Sequence, residues 1–140
     1  MRIEHSLSAL KTPAFAIIAE GWNELVQSGH TAEGVALCPV LGHDEVIYAV
    51  ASDGDVVGVI AYRPAWSDRS EHGMISLAYV EPSSRKKGVF KAMYAMLKTS
   101  ALRHKWLKIT LDTPPENMEL QSFLRHMDVS IATLSYEMRA

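Results

Sequence analysis

The spacing of apolar and polar residues changes several times along the chain, and each change marks an element. Phe15, Ile18, Trp22 and Leu25 recur at helical spacing. Thr12-Pro13 ahead of them reads as an N-cap threonine with proline at the first helical position, and Gly29 as the stop. A short strand is expected near Ile3. From His30 to Asp44 there is no clean period, so this stretch reads either as a second short helix or as a long loop. EVIYAVA (Glu45 to Ala51) and VVGVIAY (Val56 to Tyr62) are β-rich runs, with Asp53-Gly54-Asp55 as the hairpin turn between them. RPAWSDRSEHG reads as a polar connection, and MISLAYV (Met74 to Val80) as a third, buried strand closed by Pro82.

Phe90, Met93, Leu97 and Ala101 then line one face of a helix. WLKITLD alternates, with Leu107, Ile109 and Leu111 on one side and Lys108, Thr110 and Asp112 on the other. Pro114-Pro115 ends that strand, Met118 to Met127 predicts a short helix, and VSIATLSYEMR reads as one final strand. The predicted fold class is α/β (α+β): a mixed sheet with helices on both faces. The strand–helix–strand unit from Met74 to Asp112 is expected to be a right-handed crossover with parallel strands.

Composition adds limits. The 140 residues match one domain, expected over 1–140, and 48% of them are apolar, enough for a single core. With Cys38 as the sole cysteine, no internal disulfide is available. No apolar run approaches the roughly 20 residues of a membrane span. MRIEHSLSAL has neither the basic head nor the apolar run of a signal peptide, so no membrane association and a cytoplasmic location are expected. The six histidines show no HxH or HExxH pairing, and no metal site is predicted.

Charge is where the chain becomes specific. The net charge is −2, yet eight of the 14 Lys and Arg residues lie between Glu81 and Asp112 with no acid among them. Three of these, Arg85, Lys86 and Lys87, precede Gly88 in VEPSSRKKGVFKAMYAMLK, between a strand-ending proline and a helix. A helix entered through a glycine corner has first amides that the helix itself does not use, and they lie at the positive end of its dipole. Glycine lets a phosphate group approach that backbone, and the cations draw an anion in. A basic strand–helix loop can equally be a solvated surface. GxGxxG and GxxxxGK[ST] are both absent.

The stretch resembles motif A of the GNAT superfamily, the acyl-CoA-dependent N-acyltransferases. There a strand ending in Val-x-Pro is followed by Arg/Gln-x-x-Gly-x-Gly/Ala and a helix. Val80, Pro82, Arg85 and Gly88 hold those positions, and Phe90 departs from the usual small residue in the last slot. The order of elements from Glu45 to Ala140 is similar too. The resemblance implies a GNAT fold with a splayed pair of parallel strands, and acetyl-CoA as acyl donor. It implies that Tyr79 and Val80 offer backbone groups to the pantetheine arm. It places the amides from Lys86 through Lys87, Gly88, Val89 and Phe90 to Lys91 at the pyrophosphate, and Asn117 at the pantetheine. Asn117 reads equally as a helix cap.

The implied reaction is direct attack of a neutral amine on the thioester, with a backbone N–H of the third strand steadying the oxyanion. The usual acid, a tyrosine seven residues after the asparagine, is here Leu124, and the usual base positions are Ser76 and Met74. No catalytic residue is therefore assigned; His72, Glu81 and His43-Asp44 remain as base candidates, and Tyr79 and Tyr136 as acids. A lysine-like amine is neutral only about 0.1% of the time near pH 7.4, against about a quarter for an α-amine. Either a small-molecule or peptide amine of low pKa is the expected acceptor, or a base comes from elsewhere in the chain.

Two other readings compete. One is a GNAT-fold protein that binds acyl-CoA without catalysis, for which the missing acid and base speak. The other is a nucleic-acid-binding module using the segment from Arg85 to Lys108, against which stand the few aromatics and the slightly acidic chain. Asp128 to Ala140 reads as too short for two closing strands, which would leave a sheet edge for a second copy and a homodimer.

Overall fold

Thr12 opens the first helix: its Oγ1 accepts the Ala14 N–H at 3.2 Å and its carbonyl the Phe15 N–H at 3.3 Å. The computed structural model describes residues 1–28, 35–36, 40–67, 69–112, 129–132 and 135–139. Its elements are β1 (Arg2–Ser6), α1 (Phe15–Ser28), β2 (Val35–Ala36), β3 (Glu45–Val50), β4 (Val56–Ser67) and β5 (Ser70–Val80). A single 3-10 turn (Pro82–Ser84) leads to α2 (Val89–His104), β6 (Lys108–Asp112), β7 (Val129–Ala132) and β8 (Ser135–Arg139). The strands form one mixed sheet in the order β1-β3-β4-β5-β6-β8-β7, and β2 pairs with β5.

The unbroken apolar run of β3 has a simple cause: both faces of the sheet are covered. Val46, Tyr48 and Val50 alternate onto the α1 face with Val59, Ala61, Leu77 and Tyr79, against Ala14, Ile17 and Ile18. Ile47 and Ala49 point to the other face, where Ile60, Tyr62, Ile75 and Ile109 meet Val89, Phe90, Met93 and Leu97 of α2. Helices thus lie on both faces, as the pattern predicted.

Two sequence expectations are corrected. RPAWSDRSEHG is not a loop: β4 and β5 continue through it, with Pro64 opposite Gly73, Ala65 opposite His72, Trp66 opposite Glu71 and Ser67 opposite Ser70. Arg69, at φ 64°, lies at its turn. The stretch lacks strand alternation because it runs beyond the main core. Pro64 is tolerated because β3 pairs with β4 only as far as Glu45 opposite Tyr62, so this part of β4 needs no donor on its outer edge. VSIATLSYEMR is not one strand but two, β7 and β8, antiparallel from Val129 opposite Met138 to Ala132 opposite Ser135. β8 pairs with β6 from Lys108 opposite Arg139 to Asp112 opposite Ser135, so the segment is long enough for both closing strands and covers the edge expected to be open. The helix predicted from Met118 lies outside the described residues.

The parallel pair is short. β5 and β6 are matched at Gly73 with Ile109 and Met74 with Thr110, and beyond Met74 they part. The parting begins beside a bulge: Ala61 faces Leu77 and Tyr62 faces Ile75, leaving Ser76 as the extra residue in β5. A bulge bends the strand that carries it and increases its twist. Trp106 closes the narrow end of the opening, packed so tightly under Gly73 that a Cβ there would lie 2.7 Å from the indole.

Candidate functional site

Past the bulge, β5 runs to Val80 and into the corner before α2. Glu81 N–H bonds the Val57 carbonyl at 2.9 Å, and its carboxylate accepts from Ser83 Oγ at 2.8 Å and Ser84 Oγ at 3.0 Å. That fixes the turn and commits Glu81 to it. Lys86 follows at φ 62° and Gly88 at φ 80°, both left-handed, and α2 starts at Val89. The first bond of the helical ladder is Ala92 N–H to the Gly88 carbonyl, 3.0 Å. Among the described residues no side chain caps this end, and no acid lies in its first turn. A Cβ at Gly88 would meet nothing within 4 Å, so the space in front of the corner is open. Lys86, Lys87 and Lys91 are exposed around it.

The side chains of Val89 and Phe90 point the other way, into the core, where Phe90 stacks on Tyr94 with centroids 6.4 Å apart. This accounts for a large residue where the motif prefers a small one: only the backbone of Phe90 faces the corner.

Arg85 is also turned inward. Its Nε donates to the Val80 carbonyl at 2.8 Å and its Nη2 to Glu24 Oε1 at 3.1 Å, while the guanidinium lies 5.4 Å from the centre of the Tyr79 ring. The Tyr79 hydroxyl donates to Glu24 Oε2 and lies 3.3 Å from Glu20 Oε1. Burial, the Glu24 hydrogen bond and the charges of Glu20 and Glu24 hold the Tyr79 phenol well above its ordinary pKa. α1 approaches closely here because residue 21 is glycine; a Cβ would lie 2.6 Å from the Tyr79 ring. Glu20 and Glu24 went unnoticed in the sequence, although their four-residue spacing places both on one helix face.

The remaining candidates are dispersed. His72 lies six residues back along β5 from Ala78, about 20 Å at the rise of a strand, on the closed side of the fork. Tyr136 belongs to β8, opposite Leu111. Asn117 lies outside the described residues. His43 is exposed, whereas Asp44 is fully buried. The Asp44 carboxylate accepts from Ser76 Oγ at 2.9 Å, from Arg63 Nη1 at 3.0 and 3.1 Å, and from the Leu41 N–H at 3.0 Å. It thereby grips the bulge residue itself.

The basic segment is divided by α2, whose 16 residues span about 24 Å. Arg85 to Lys91 surround its start, whereas at its end Arg103 and His104 are 3.8 and 3.4 Å from the Glu45 carboxylate. No helix among the described residues is long and apolar enough to cross a membrane, and none of their His, Cys, Asp and Glu side chains group to hold a metal.

A search of curated proteins finds no match. Among solved structures, the ribosomal-protein-alanine N-acetyltransferase of Brucella melitensis is similar over 100% of both chains, at 14% identity and TM-score 0.74. A glucosamine N-acetyltransferase region of a fungal multi-domain β-N-acetylglucosaminidase is similar at 14% identity and TM-score 0.68, covering 94% of this chain and 17% of that one. N-acetylglutamate synthase of Neisseria gonorrhoeae, solved with coenzyme A and N-acetyl-glutamate, is similar at 13% identity and TM-score 0.66, covering 95% of this chain and 29% of that one. These likenesses establish the fold. The sequence profile of the acetyltransferase (GNAT) family matches residues 13–128, well over half of the chain. The protein belongs to that family, and is an acyltransferase.

Proposed function

We propose that the protein moves an acetyl group from acetyl-CoA to the amine of a small molecule or peptide. The observation that carries this reading is the continuity of two features: the edge of β5 that β6 leaves beyond Met74 leads, past Tyr79 and Val80, into the open corner at Gly88. An extended arm carrying amides can pair with such an edge as an added strand. Val80 would supply those backbone groups, since Glu81 N–H bonds Val57 of β4 and the alternation along the strand turns the Tyr79 groups to β4 as well. The amides from Lys86 through Gly88 to Lys91 would receive the diphosphate, with Lys86, Lys87 and Lys91 drawing it in. Asn117 belongs to this proposal through its place in the motif order.

Arg85 has a different task from the one expected. Held by Glu24 and Val80, it shapes the corner rather than reaching for phosphate. Tyr79 is not the acid, because its hydroxyl is committed to Glu24. Asp44 reaches the bulge of β5 through Ser76, but Arg63 neutralises it and no surface of it is exposed. His72 is too far back along β5. Tyr136 is kept as a candidate acid by its motif order alone.

Bound acetyl-CoA supplies an activated thioester whose thiol leaves readily near neutral pH. An acid's help with that departure is typically worth about 10²–10⁴-fold, so catalysis survives without it. Deprotonating the amine is harder, which favours acceptors of low pKa. Thiol release from acetyl-CoA over a panel of amines at pH 7.4 tests this. α-Amines should outpace simple polyamines. Equal rates would refute the acceptor preference, and thermal stabilisation by CoA with no turnover on any amine would favour a non-catalytic binder.

A further inference from the structure

Strand β2 lies antiparallel to β5, with Val35 opposite Ala78 and Ala36 opposite Leu77. β4 occupies the other edge of β5 along its length, from Gly58 opposite Val80 to Ser67 opposite Ser70. β2 is therefore on the edge that faces β6, and β6 has left that edge after Met74. The chain's own backbone is lodged inside the fork.

The place it takes matters. With a diphosphate at the Gly88 corner, an arm descending along β5 passes Val80 and Tyr79 first. Those two residues offer about 7 Å of edge before β2 begins. A pantetheine arm, with two amides before its sulfur, is about as long as four residues of extended chain, or about 14 Å. Its sulfur end would coincide with β2. Two residues can make only about two backbone bonds to one neighbouring strand, so the contact is small enough for a ligand to replace.

We propose that β2 is a stand-in for the thiol end of the donor: it closes the β5 edge at Leu77 and Ala78 in the free protein and is displaced when an acyl-CoA enters the fork. The inference rests on the acyl-CoA reading above. It makes donor entry and release of Val35–Ala36 a single event, so the backbone groups of Ala78 become available only when the thioester arrives.

The test is to tie β2 down. Residues opposite one another in an antiparallel pair have Cα atoms about 4.5–5.5 Å apart, within the span of a disulfide. In a Cys38→Ser background, which removes the only native cysteine, Val35→Cys and Ala78→Cys are introduced together and CoA binding is measured oxidised and reduced. Oxidation should weaken binding at least 10-fold and reduction should restore it. Equal affinity in both states overturns the proposal while leaving the donor reading intact. No CoA binding by the parent protein removes the donor reading and the proposal with it.

Amide exchange on the unmodified protein gives an independent result. Saturating CoA should raise protection at Val80 but lower it at Val35 and Ala36. Protection gained or unchanged at Val35 and Ala36, alongside a gain at Val80, rules out displacement.

Discussion

Arg85 Nη2 sits 3.1 Å from Glu24 Oε1, so an ion pair between residues 61 positions apart joins the corner before α2 to the first helix. The pair is mostly shielded, with Arg85 16% and Glu24 25% exposed. Arg85→Ala would leave Glu24 and the Val80 carbonyl without this donor and should lower stability by about 1–3 kcal/mol. Lys87→Ala, at the surface, should change stability by no more than about 0.5 kcal/mol. Its effect should fall on CoA affinity, more strongly at low ionic strength. Urea unfolding and CoA titration at two salt concentrations separate the two kinds of cation.

Asp44 should be the costliest polar residue to remove. Its carboxylate is fully buried and holds Arg63, Ser76 and the Leu41 N–H together. Asp44→Ala removes the buried carboxylate of this ion pair from the largely shielded Arg63 guanidinium, and a loss of about 3–5 kcal/mol is expected. Ser76→Ala removes one hydrogen bond to a charged group, at a cost of about 1–3 kcal/mol. The denaturant midpoint should move in that order.

Tyr79→Phe distinguishes a structural residue from an acid. Its hydroxyl points to Glu24 on α1. The variant should keep kcat within a few-fold of the parent and preserve the alkaline side of the pH–rate profile. A fall of about 10²–10⁴ with loss of that side would make Tyr79 the acid after all.

At alkaline pH, Tyr62 should set part of the stability. Burial raises its phenol to about 12 from an ordinary 10.0, the nearby Glu45 charge adds to this, and the Ser100 hydroxyl at 3.0 Å opposes it. Above about pH 10 the unfolded chain has lost this proton while the native protein keeps it. Tyr62's contribution is thus complete below pH 10 and declines as pH rises through about 12, at up to about 1.4 kcal/mol per pH unit. The stability difference between the parent and Tyr62→Phe should therefore shrink from pH 9.5 to 11.5; a constant difference would contradict the assignment.

What could be read in advance follows from what sequence encodes. β3, the core half of β4, and β5 from Met74 were legible because helices cover both faces there and demand apolar residues. Pro64 to Trp66 and Arg69 to Glu71 were not, because the hairpin extends beyond the core there and polar side chains cost little on its surface. VSIATLSYEMR hid two strands in one apolar run. At the candidate site, Gly88 and its cations were legible because a left-handed helix entry selects glycine at a fixed place. Arg85 was recognised by position, yet its partner was not, since only the fold brings Glu24 to it. Asp44 was legible only as one of several base candidates; the bulge at Ser76, which the carboxylate holds, has no sequence signature of its own.

Calorimetric titration of coenzyme A into the parent and into Gly88→Val decides whether the corner grips the donor. The substitution keeps every charge, meets open space, and disturbs only a backbone held at φ 80°. A β-branched residue resists that conformation, with a strain of about 1–2 kcal/mol or more. Affinity should fall at least 10-fold while the fold, followed by circular dichroism, persists. Equal affinity in the folded variant would mean that the amides around Gly88 do not hold the diphosphate.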